Sequence, residues 1–427
     1  MSNFSALPGF RDFYPDDFAV RAHVVNTWRE VARRYGFQEY DGPPLEPLEL
    51  YVEKSGPEIV QQLYNFTDKG GREVALRPEM TPTLARMVGA RLGGMRKPVK
   101  WFAVPQLFRY ERQQRGRLRE HFQLNLDVIG EDDILADAEL LAAAIDMLRA
   151  FGLGADDFVA RVSDRRLLRA LLVDAGVPED RLVLVYNIVD KLERETREAL
   201  TGRLVGEAGL GEEVVDRIFS IFRHTDFAAV REAYGGREGV APEIERSAQL
   251  FAHLEAMGLG DFVRFDLTIV RGLAYYTGTV FELFDVRGEL RAICGGGRYD
   301  DLLKRVGGVD APALGFGMGD VVLTELLRDR GLLPDTSHTL DYYLIAVGPE
   351  QRGALLSLAH RLRDVGHSVE YSFRAQGVGK QFKNASALGA RRTVVLGPDE
   401  VAEGVAVVKD MASGEEIRIP IEKLARP

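Results

Sequence analysis

The chain has 427 residues, of which 46% are hydrophobic and 28% are charged, and its net charge is −10. It is too long for one ordinary domain and has a globular composition. No apolar run reaches the roughly 18 residues that a membrane helix needs, which excludes a membrane partner. The single cysteine, Cys294, excludes an internal disulfide framework and fits a reducing cytoplasm. The first ten residues lack the pattern of a signal peptide.

The negative charge is unevenly distributed along the chain. Residues 1–340 carry a net charge of −11, whereas residues 341–427 carry +1. Screening weakens charges beyond about 8 Å, so an acidic protein can still bind RNA through a local basic patch. The sequence therefore permits RNA binding without requiring it. The seven histidines show no metal-ligand spacing, so protein motifs alone predict no metal site.

The first block of the chain, up to about residue 160, mixes helices and strands. Its hydrophobic pattern predicts a helix at 19–35, ended by Gly36, and a hairpin with strands at 101–109 and 120–129. The second block, about 161–258, is predicted to be almost wholly helical. Its predicted helices are 165–175, 188–200, 211–222 and 243–257.

Strands are predicted again after the helical block. They are expected at 262–270, 279–284 and 290–294, followed by a helix at 319–328 and a linker at 331–339. The last block alternates strands and helices, which predicts a small separate α/β domain. Its predicted strands are 342–347, 369–373 and 392–396, its helices 351–365 and 378–388, and its hairpin strands 404–410 and 415–419.

An arginine-rich loop lies between the two strands of the first predicted hairpin. Five of its eleven residues are arginines: Arg109, Arg112, Arg115, Arg117 and Arg119. Guanidinium groups bind phosphate oxygens bidentately, so the loop favours anion binding. Considered alone, a solvated charged loop is an equally good interpretation.

Three further segments carry residues that suit a ligand site. The segment 271–276 reads Arg-Gly-Leu-Ala-Tyr-Tyr and places an arginine and two tyrosines between predicted strands. The triple glycine at 295–297 predicts a turn that allows close approach to a ligand, although its spacing is not that of a P-loop. The segment 77–79, Arg-Pro-Glu, would alone be interpreted as a surface salt bridge.

Taken together and in this order, these segments resemble the histidyl-tRNA synthetases, essentially from end to end. The opening 7–12 resembles the start of that family, and 36–46 resembles the first class II motif. Phe108 and Arg109, with the glutamate, arginine and glutamine that follow, resemble the second motif. The most specific segment is 271–276, which resembles a signature peculiar to the histidyl enzymes.

The resemblance implies an α+β fold. Residues 1–335 would form a class II catalytic domain, an antiparallel sheet flanked by helices, with a helical insertion at about 161–258. Residues 340–427 would form an α/β anticodon-binding domain. The implied function is that of a histidine–tRNA ligase, which makes histidyl-adenylate from histidine and ATP and transfers histidine to the 3′-terminal adenosine of tRNA(His). Mg²⁺ would accompany ATP, and a cytoplasmic homodimer is expected.

The same resemblance implies roles for individual residues. Arg109 and Arg271 are the expected catalytic residues, because they would neutralise the histidine carboxylate and the α-phosphate. The expected ATP contacts are Arg109, Glu111, Arg117 and Arg298. The expected histidine contacts are Glu79, Thr81, Gln123, Asp127, Arg271, Tyr275 and Tyr276. Contacts to the tRNA acceptor end are expected from Arg112 and Gln114.

The chain departs from the family pattern at the third class II motif. The family usually carries an arginine near ATP at the end of this motif, and the segment 315–323 has none. We expect a replacement for it. Arg298 is favoured over Lys304 and Arg305, because it follows three glycines that should approach the nucleotide closely.

Two non-catalytic functions are alternatives to the ligase. A synthetase-like regulatory subunit of ATP phosphoribosyltransferase would sense histidine, but such proteins typically lack the C-terminal domain predicted here. A histidine or RNA sensor would keep both domains and lose phosphate-binding arginines. The retained Arg109, Arg117 and Arg271 favour the ligase.

Overall fold

The computed structural model describes residues 4–110, 116–192, 194–269, 276–288, 290–335 and 340–424. The chain divides into two compact units, Met1–Leu333 and Pro334–Pro427. Within the described ranges, every helix is too short or too polar to cross a membrane.

The first unit contains both helices and strands. Its α-helices are α1 (Pro15–Arg34), α2 (Leu48–Ser55), α3 (Thr81–Gly89), α4 (Ile134–Arg149), α5 (Arg165–Asp174), α6 (Leu182–Val189), α7 (Arg197–Gly206), α8 (Glu212–Ile221), α9 (Phe227–Tyr234), α10 (Ala241–Ala256), α11 (Leu302–Gly307) and α12 (Asp320–Asp329). Its strands are β1 (Gln38–Glu39), β2 (Leu45–Pro47), β3 (Asn65–Thr67), β4 (Glu73–Leu76), β5 (Val99–Ala103), β6 (Gln106–Phe108), β7 (Glu120–Ile129), β8 (Phe158–Asp164), β9 (Val263–Phe265), β10 (Thr279–Asp285), β11 (Cys294–Arg298) and β12 (Ala313–Gly319).

The first unit is built around a mainly antiparallel sheet. Its strand order is β1-β5-β7-β12-β11-β10-β8-β9, and β6 also pairs with β7. The pairs at the two edges, β1 with β5 and β8 with β9, are parallel. A smaller sheet with the order β2-β4-β3 lies in the same unit. Neighbouring strands in the middle of the large sheet therefore come from segments that are more than 100 residues apart in the sequence.

The two faces of the large sheet differ in character. Side chains alternate between faces along each strand. On one face, Leu126 and Phe316 belong to a buried core that also includes Trp28 of α1, Ile145 of α4 and Leu323 of α12. The opposite face, here called the polar face, carries the other residues of the same strands. Its residues on β7, β11 and β12 include Gln123, Asn125, Asp127, Gly295, Gly297, Gly315 and Gly317.

The predicted turn at 295–297 is wrong, because these glycines lie in strand β11 near the centre of the sheet. The predicted strand at 290–294 is correspondingly displaced. A Cβ on Gly296 would lie 2.7 Å from Phe316 Cα, and one on Gly297 would lie 3.0 Å from Val280 Cα. The glycines are thus explained by close packing of neighbouring strands rather than by the backbone freedom that a turn requires.

Most of the other predicted elements of the first unit are confirmed. The first helix begins earlier than predicted, at Pro15, since proline suits the first helical turn. The predicted helix at 188–200 is wrong: α6 ends at Val189, and the Thr196 hydroxyl accepts from the Ala199 N–H to begin α7. Several elements were not predicted, among them α2, α3, α4, α9, α11, β8 and β12. Of the predicted strand at 262–270, only Val263–Phe265 (β9) is observed as a strand, and residue 270 lies outside the described residues.

The second unit has the predicted α/β pattern. Its strands are β13 (Leu340–Ala346), β14 (Val369–Tyr371), β15 (Ala390–Leu396), β16 (Val405–Asp410) and β17 (Glu416–Pro420). Its helices are α13 (Arg352–Asp364), α14 (Val378–Ala387), α15 (Pro398–Glu403) and α16 (Ile421–Leu424). The sheet order is β14-β13-β15-β16-β17, with the first three strands parallel and the last two antiparallel. The α+β fold class is confirmed.

Replacing Gly296 by alanine should test the close packing of β11 and β12. The added methyl group would overlap the Phe316 backbone, so we expect Gly296→Ala to lower the free energy of unfolding by about 1–3 kcal/mol. Gly202 of α7 is the matched control: a Cβ there meets nothing within 4 Å, and alanine should stabilise the helix by up to about 1 kcal/mol. Urea denaturation of both variants measures the difference, and equal stabilities would contradict the packing explanation.

Candidate active site

A cavity of about 150 Å³ lies beside the start of β7 and brings together residues from four parts of the chain. Among the residues that line it are Arg109, Arg117, Gln123, Ile293 and Val322. The two arginines and Gln123 are three of the predicted site residues. The arginine-rich loop therefore contributes to a cavity, and its described part is not simply a solvated charged loop.

Arg109 connects the arginine-rich loop to the Arg-Pro-Glu segment. Its Nε donates to the Pro78 carbonyl at 3.0 Å, and the Phe108 N–H donates to the Arg77 carbonyl at 3.0 Å. Arg77 is buried and donates from Nη1 to Asp41 Oδ1 at 2.7 Å. The sequence alone suggested a surface salt bridge for this segment, whereas the structure makes it a buried support for Arg109.

Glu79 and Thr81 follow directly on this support. Thr81 is the first residue of α3. The Glu79 carboxylate forms an ion pair with the ammonium of Lys54 at the end of α2. Lys54 was not predicted as a site residue, because a single lysine in a helix has no distinctive pattern. The structure thus places a lysine beside one of the carboxylates expected to bind histidine.

Polar side chains follow β7 at every second position. Gln123 Nε2 donates to Asn125 Oδ1 at 2.9 Å, and His121 Nε2 and Gln123 Oε1 lie 3.2 Å apart in a hydrogen bond. Asp127 continues the same row. Burial and the charge of Arg109 lower the pKa of His121 to about 4, so its imidazole is neutral at pH 7. Sequence analysis missed His121 and Asn125, although the alternation along β7 could have indicated both.

Asp127, the one carboxyl in this row of β7, is buried, with 5% of its surface exposed. The Tyr299 hydroxyl donates to its Oδ1. Burial raises the pKa of Asp127 to about 7, although the Tyr299 hydrogen bond and the charge of Lys54 both oppose the shift. Gly315 leaves room for this carboxyl, because a Cβ there would overlap it.

Tyr276 lies on the glycine-rich part of the polar face. A Cβ on Gly297 would be 3.1 Å from Tyr276 Cδ1, and the tyrosine ring packs against the cluster that contains Tyr299. The structure therefore brings Tyr276 to the same end of the sheet as Asp127. The other predicted contacts Glu111, Arg112, Gln114, Arg271 and Tyr275 lie outside the described residues.

Arg298 corrects one prediction. Its side chain is fully buried, and its guanidinium pairs with Asp137 of α4 at 2.5 Å and donates to the Glu131 carbonyl at 2.9 Å. Because β11 is a strand rather than a turn, Arg298 is directed into the protein interior and cannot stack on a purine. The structure does not support it as an ATP contact. Lys304 pairs with Asp310 near the surface, and Arg305 donates to the backbone of α2.

The opening segment of the chain ties the start of β7 to α12. The Gly9 carbonyl accepts from the Arg119 N–H at 3.0 Å. Arg11 pairs with Glu120 at 2.6 Å and with Asp320 at 2.9 Å. Both carboxylates are buried, so Arg11 supplies the opposite charge that offsets the cost of burying them. Among the described residues, no group of three or more His, Cys, Asp and Glu could hold a metal ion.

An antiparallel sheet with arginines beside one end of a polar strand and a buried carboxyl towards the other matches the class II aminoacyl-tRNA synthetases expected from the sequence. Comparisons with known proteins agree. The histidyl-tRNA synthetase family model matches residues 9–320, and an anticodon-binding domain model matches residues 341–426. The chain therefore belongs to the histidyl-tRNA synthetase family.

Individual relatives cover the chain almost completely. A histidine–tRNA ligase of Opitutus terrae is 45% identical over 99% of this chain and 98% of its own length. A crystal structure of histidyl-tRNA synthetase from Nostoc sp. PCC 7120 has a TM-score of 0.84 at 26% identity and covers 99% of both chains. An ATP phosphoribosyltransferase regulatory subunit/histidyl-tRNA synthetase from Bacillus halodurans has a TM-score of 0.77 at 25% identity, covering 93% of this chain and 99% of that one. The predicted family and ligase function are confirmed.

Replacing Arg298 should affect folding rather than ATP binding. Arg298→Met leaves Asp137 buried with its main partner removed, so we expect the free energy of unfolding to fall by about 3–5 kcal/mol. Arg169→Met is the matched control, because it breaks an exposed pair with Glu179 that should contribute about 1 kcal/mol or less. Urea unfolding measures both. An Arg298→Met variant with wild-type stability and weakened ATP binding would return Arg298 to the ATP site.

Proposed function

We propose that this ligase activates histidine with ATP to form histidyl-adenylate and then transfers histidine to the 3′-terminal adenosine of tRNA(His). The observation that carries the proposal is the polar face: Arg109 and Arg117 lie near its Gln123, and Asp127 lies further along the same strand. Such a row can hold an anionic nucleotide and a polar amino acid side by side. Family membership implies the same substrates.

The chemistry requires charge neutralisation, since histidine carboxylate must attack an α-phosphate that is also anionic. In our proposal Arg109 bridges the two groups, Arg271 contacts them from the opposite side, and Arg117 holds the outer phosphates. Holding the reactants together lowers the barrier further, because the attack becomes effectively intramolecular. Glu111 is proposed as a further ATP contact, and Arg112 and Gln114 as contacts to the tRNA acceptor end.

Mg²⁺ is proposed to enter together with ATP. Mg²⁺ commonly binds one or two carboxylates and several phosphate oxygens. Two acidic residues near the cavity in the described part of the chain, Glu120 and Asp320, are already paired with Arg11. This donor set fits an ion held mainly by the nucleotide phosphates, where it would neutralise part of their charge.

Histidine is proposed to bind across Gln123 and Asp127. Glu79, Thr81 and Gln123 would hold the α-ammonium group, while Asp127 and Tyr276 would hydrogen-bond the imidazole, with Tyr275 nearby. An analogue that lacks these hydrogen bonds leaves buried polar groups unsatisfied, which can cost about 10⁴-fold in selectivity. The shorter side chain of Asp127, where the family commonly has glutamate, is supported by Tyr299.

The adenine ring is proposed to lie between His121 and Val322, which line the same cavity. A neutral imidazole offers a flat face without the charge repulsion that an imidazolium would add beside Arg109. Without the arginine usual in the family, stacking on the purine loses a cation–π contribution of about 1–2 kcal/mol. The chain would therefore bind the purine through aromatic and apolar contacts.

The second unit is proposed to bind the anticodon of tRNA(His). A cavity of about 380 Å³ opens at the carboxyl ends of β13 and β14 and is lined in part by Arg352, Tyr371 and Arg374. Phe373 beside it is 75% exposed. Aromatic rings next to arginines suit unpaired RNA bases, which proteins bind by stacking and by contacts to phosphate.

The organisation of the chain is proposed to follow the family. Residues 1–335 form the catalytic domain with the helical insertion at about 161–258, and residues 340–427 form the anticodon-binding domain. A cytoplasmic homodimer is the expected state of the enzyme. The alternative is a synthetase-like regulatory subunit, which the name of the Bacillus halodurans neighbour includes, whereas the anticodon-binding domain match at 341–426 favours the ligase.

Pyrophosphate exchange separates these two functions. The purified protein is expected to exchange labelled pyrophosphate into ATP with histidine and with no other amino acid. Arg271→Ala should reduce this exchange by roughly 10²–10³-fold, because one charge contact in the transition state is lost. Histidine binding without exchange in the wild-type protein would favour the regulatory or sensor function.

Removal of the second unit should separate the two steps of the reaction. A chain that ends at Leu333 is expected to keep histidine-dependent exchange, because the first unit has a hydrophobic core of its own. Its tRNA charging should fall by roughly 100-fold, since each stacked base contributes about 1–3 kcal/mol.

Two full-length variants refine the same test. Arg374→Ala removes a cavity arginine and should weaken charging, whereas Arg418→Ala removes an arginine that pairs with Glu403 and should not. Aminoacylation assays measure each variant. Charging by the truncated protein at the wild-type rate would contradict the anticodon-domain assignment.

A further inference from the structure

The residue that follows Tyr276 is tied by hydrogen bonds to the end of β11. The Thr277 hydroxyl donates to Asp300 Oδ2 at 3.0 Å and accepts from the Asp300 N–H at 3.1 Å. The Thr277 N–H donates to the Arg298 carbonyl at 2.7 Å. Three hydrogen bonds therefore join Thr277 to the segment 298–300, and two of them depend on its hydroxyl.

Asp300 is itself held from several sides. Its Oδ1 accepts from the Ala313 N–H of β12 at 3.2 Å and from Arg298 Nη1 at 3.4 Å. Its Oδ2 accepts from Arg166 Nη2 of α5 at 3.3 Å, and Arg166 Nε donates to the Thr277 carbonyl at 3.3 Å. The carboxylate that accepts from the Thr277 hydroxyl is therefore fixed to the central sheet and to α5, and it offers a rigid point of attachment.

The Tyr276 ring lies over the glycines of the polar face. A Cβ on Gly297 would be 3.1 Å from Tyr276 Cδ1. Gly297 pairs with Gly315, and Gly315 pairs with Asp127. Because neighbouring strands lie about 4.8 Å apart, β11 under Tyr276 and β7 with Asp127 are separated by about 10 Å. A flat ring such as imidazole can lie between these two groups on a floor without side chains.

The segment 298–300 supports both groups that face this floor. The Tyr299 hydroxyl donates to Asp127, and Asp300 holds Thr277 beside Tyr276. The buried guanidinium of residue 298 anchors the same segment to α4. Three consecutive residues thus link the protein interior to both of the side chains that we propose as partners of the imidazole.

We propose that Thr277 is a positioning residue for histidine: through its two hydroxyl hydrogen bonds with Asp300 it sets the place of the Tyr276 hydroxyl beside the imidazole. This inference rests on the proposed function of the same site. Thr277 acts through Tyr276 and contacts neither ATP nor the reacting atoms. Hydrogen bonds weaken steeply with angle and distance, so a displaced tyrosine hydroxyl loses affinity for histidine without affecting the phosphate contacts.

Valine in place of Thr277 tests this role, because valine keeps the branched shape and removes both hydroxyl hydrogen bonds. In pyrophosphate exchange, Thr277→Val is expected to raise KM for histidine about tenfold, the effect of losing ordinary hydrogen bonds. Since only binding of histidine is weakened, kcat and KM for ATP should change by less than about twofold. Thr277→Ser keeps the hydroxyl and should retain a KM near that of the wild-type protein.

A double-mutant cycle shows whether Thr277 acts through Tyr276. Tyr276→Phe removes the positioned hydroxyl and should itself raise KM for histidine about tenfold. Adding Thr277→Val should then cause little further increase, because no hydroxyl remains to be positioned. A purely structural threonine would raise KM by the same factor in both backgrounds.

Two further variants complete the design. Thr277→Ala also lacks the hydroxyl and replaces Thr277→Val if valine prevents folding. Thr67→Val is the matched control, since it removes an exposed hydroxyl that donates to Glu73 in the small sheet and should leave KM for histidine unchanged.

The possible failures are distinguishable. Absence of histidine-dependent exchange in the wild-type protein would contradict the proposed function itself, and an unchanged KM in Tyr276→Phe would contradict the imidazole contact on which the inference rests. With both of these intact, three results would each overturn the role of Thr277. They are a wild-type KM in the variants that lack the hydroxyl, equal increases in the two backgrounds of the cycle, and a parallel rise in KM for ATP.

Discussion

The site depends on one packing constraint: the central strands β11 and β12 carry glycine at 297, 315 and 317, where they face it. Side chains at Gly297, Gly315 or Gly317 would overlap Val280, Asp127 or Gln123 respectively. Because these positions have no side chain, the polar side chains of β7 can lie flat across the sheet. The same sheet presents large apolar side chains on its other face, so one layer supplies both the core and the floor of the site.

Electrostatics then divides the polar face into two parts. Near the start of β7, Arg109 and Arg117 suit phosphate, and a neutral His121 adds an aromatic surface without adding charge. Further along the strand, burial raises the pKa of Asp127 to about 7, while Lys54 opposes the shift. The first part therefore presents positive charge, whereas the second presents a buried carboxyl that hydrogen-bonds with Tyr299. Both properties follow from how deeply each group is buried.

Two arginines show how similar residues acquire different roles through position. Arg11 comes from the opening segment and is held between Glu120 and Asp320, so it joins the arginine-bearing side of the cavity to α12. Arg298 follows the three glycines, yet its strand directs it into the interior against Asp137. A buried pair of this kind fixes the position of a helix against a sheet, and its arginine is no longer available to a ligand.

The sequence by itself determined the family, the α+β pattern and about half of the element positions, because periodicity and motif spacing are local properties of the chain. The roles of Arg109, Arg117, Gln123 and Asp127 stay predictions, and the structure places the first three beside one cavity. It failed where long-range packing decides. The glycines at 295–297 have the composition of a turn, and only their pairing with β10 and β12 makes them a strand. The same pairing directs the Arg298 side chain into the protein interior. The pairing of Lys54 with Glu79 was equally invisible, since it joins α2 to a residue 25 positions further along the chain. Contacts at such separations are specified by the packing of whole layers rather than by any local pattern.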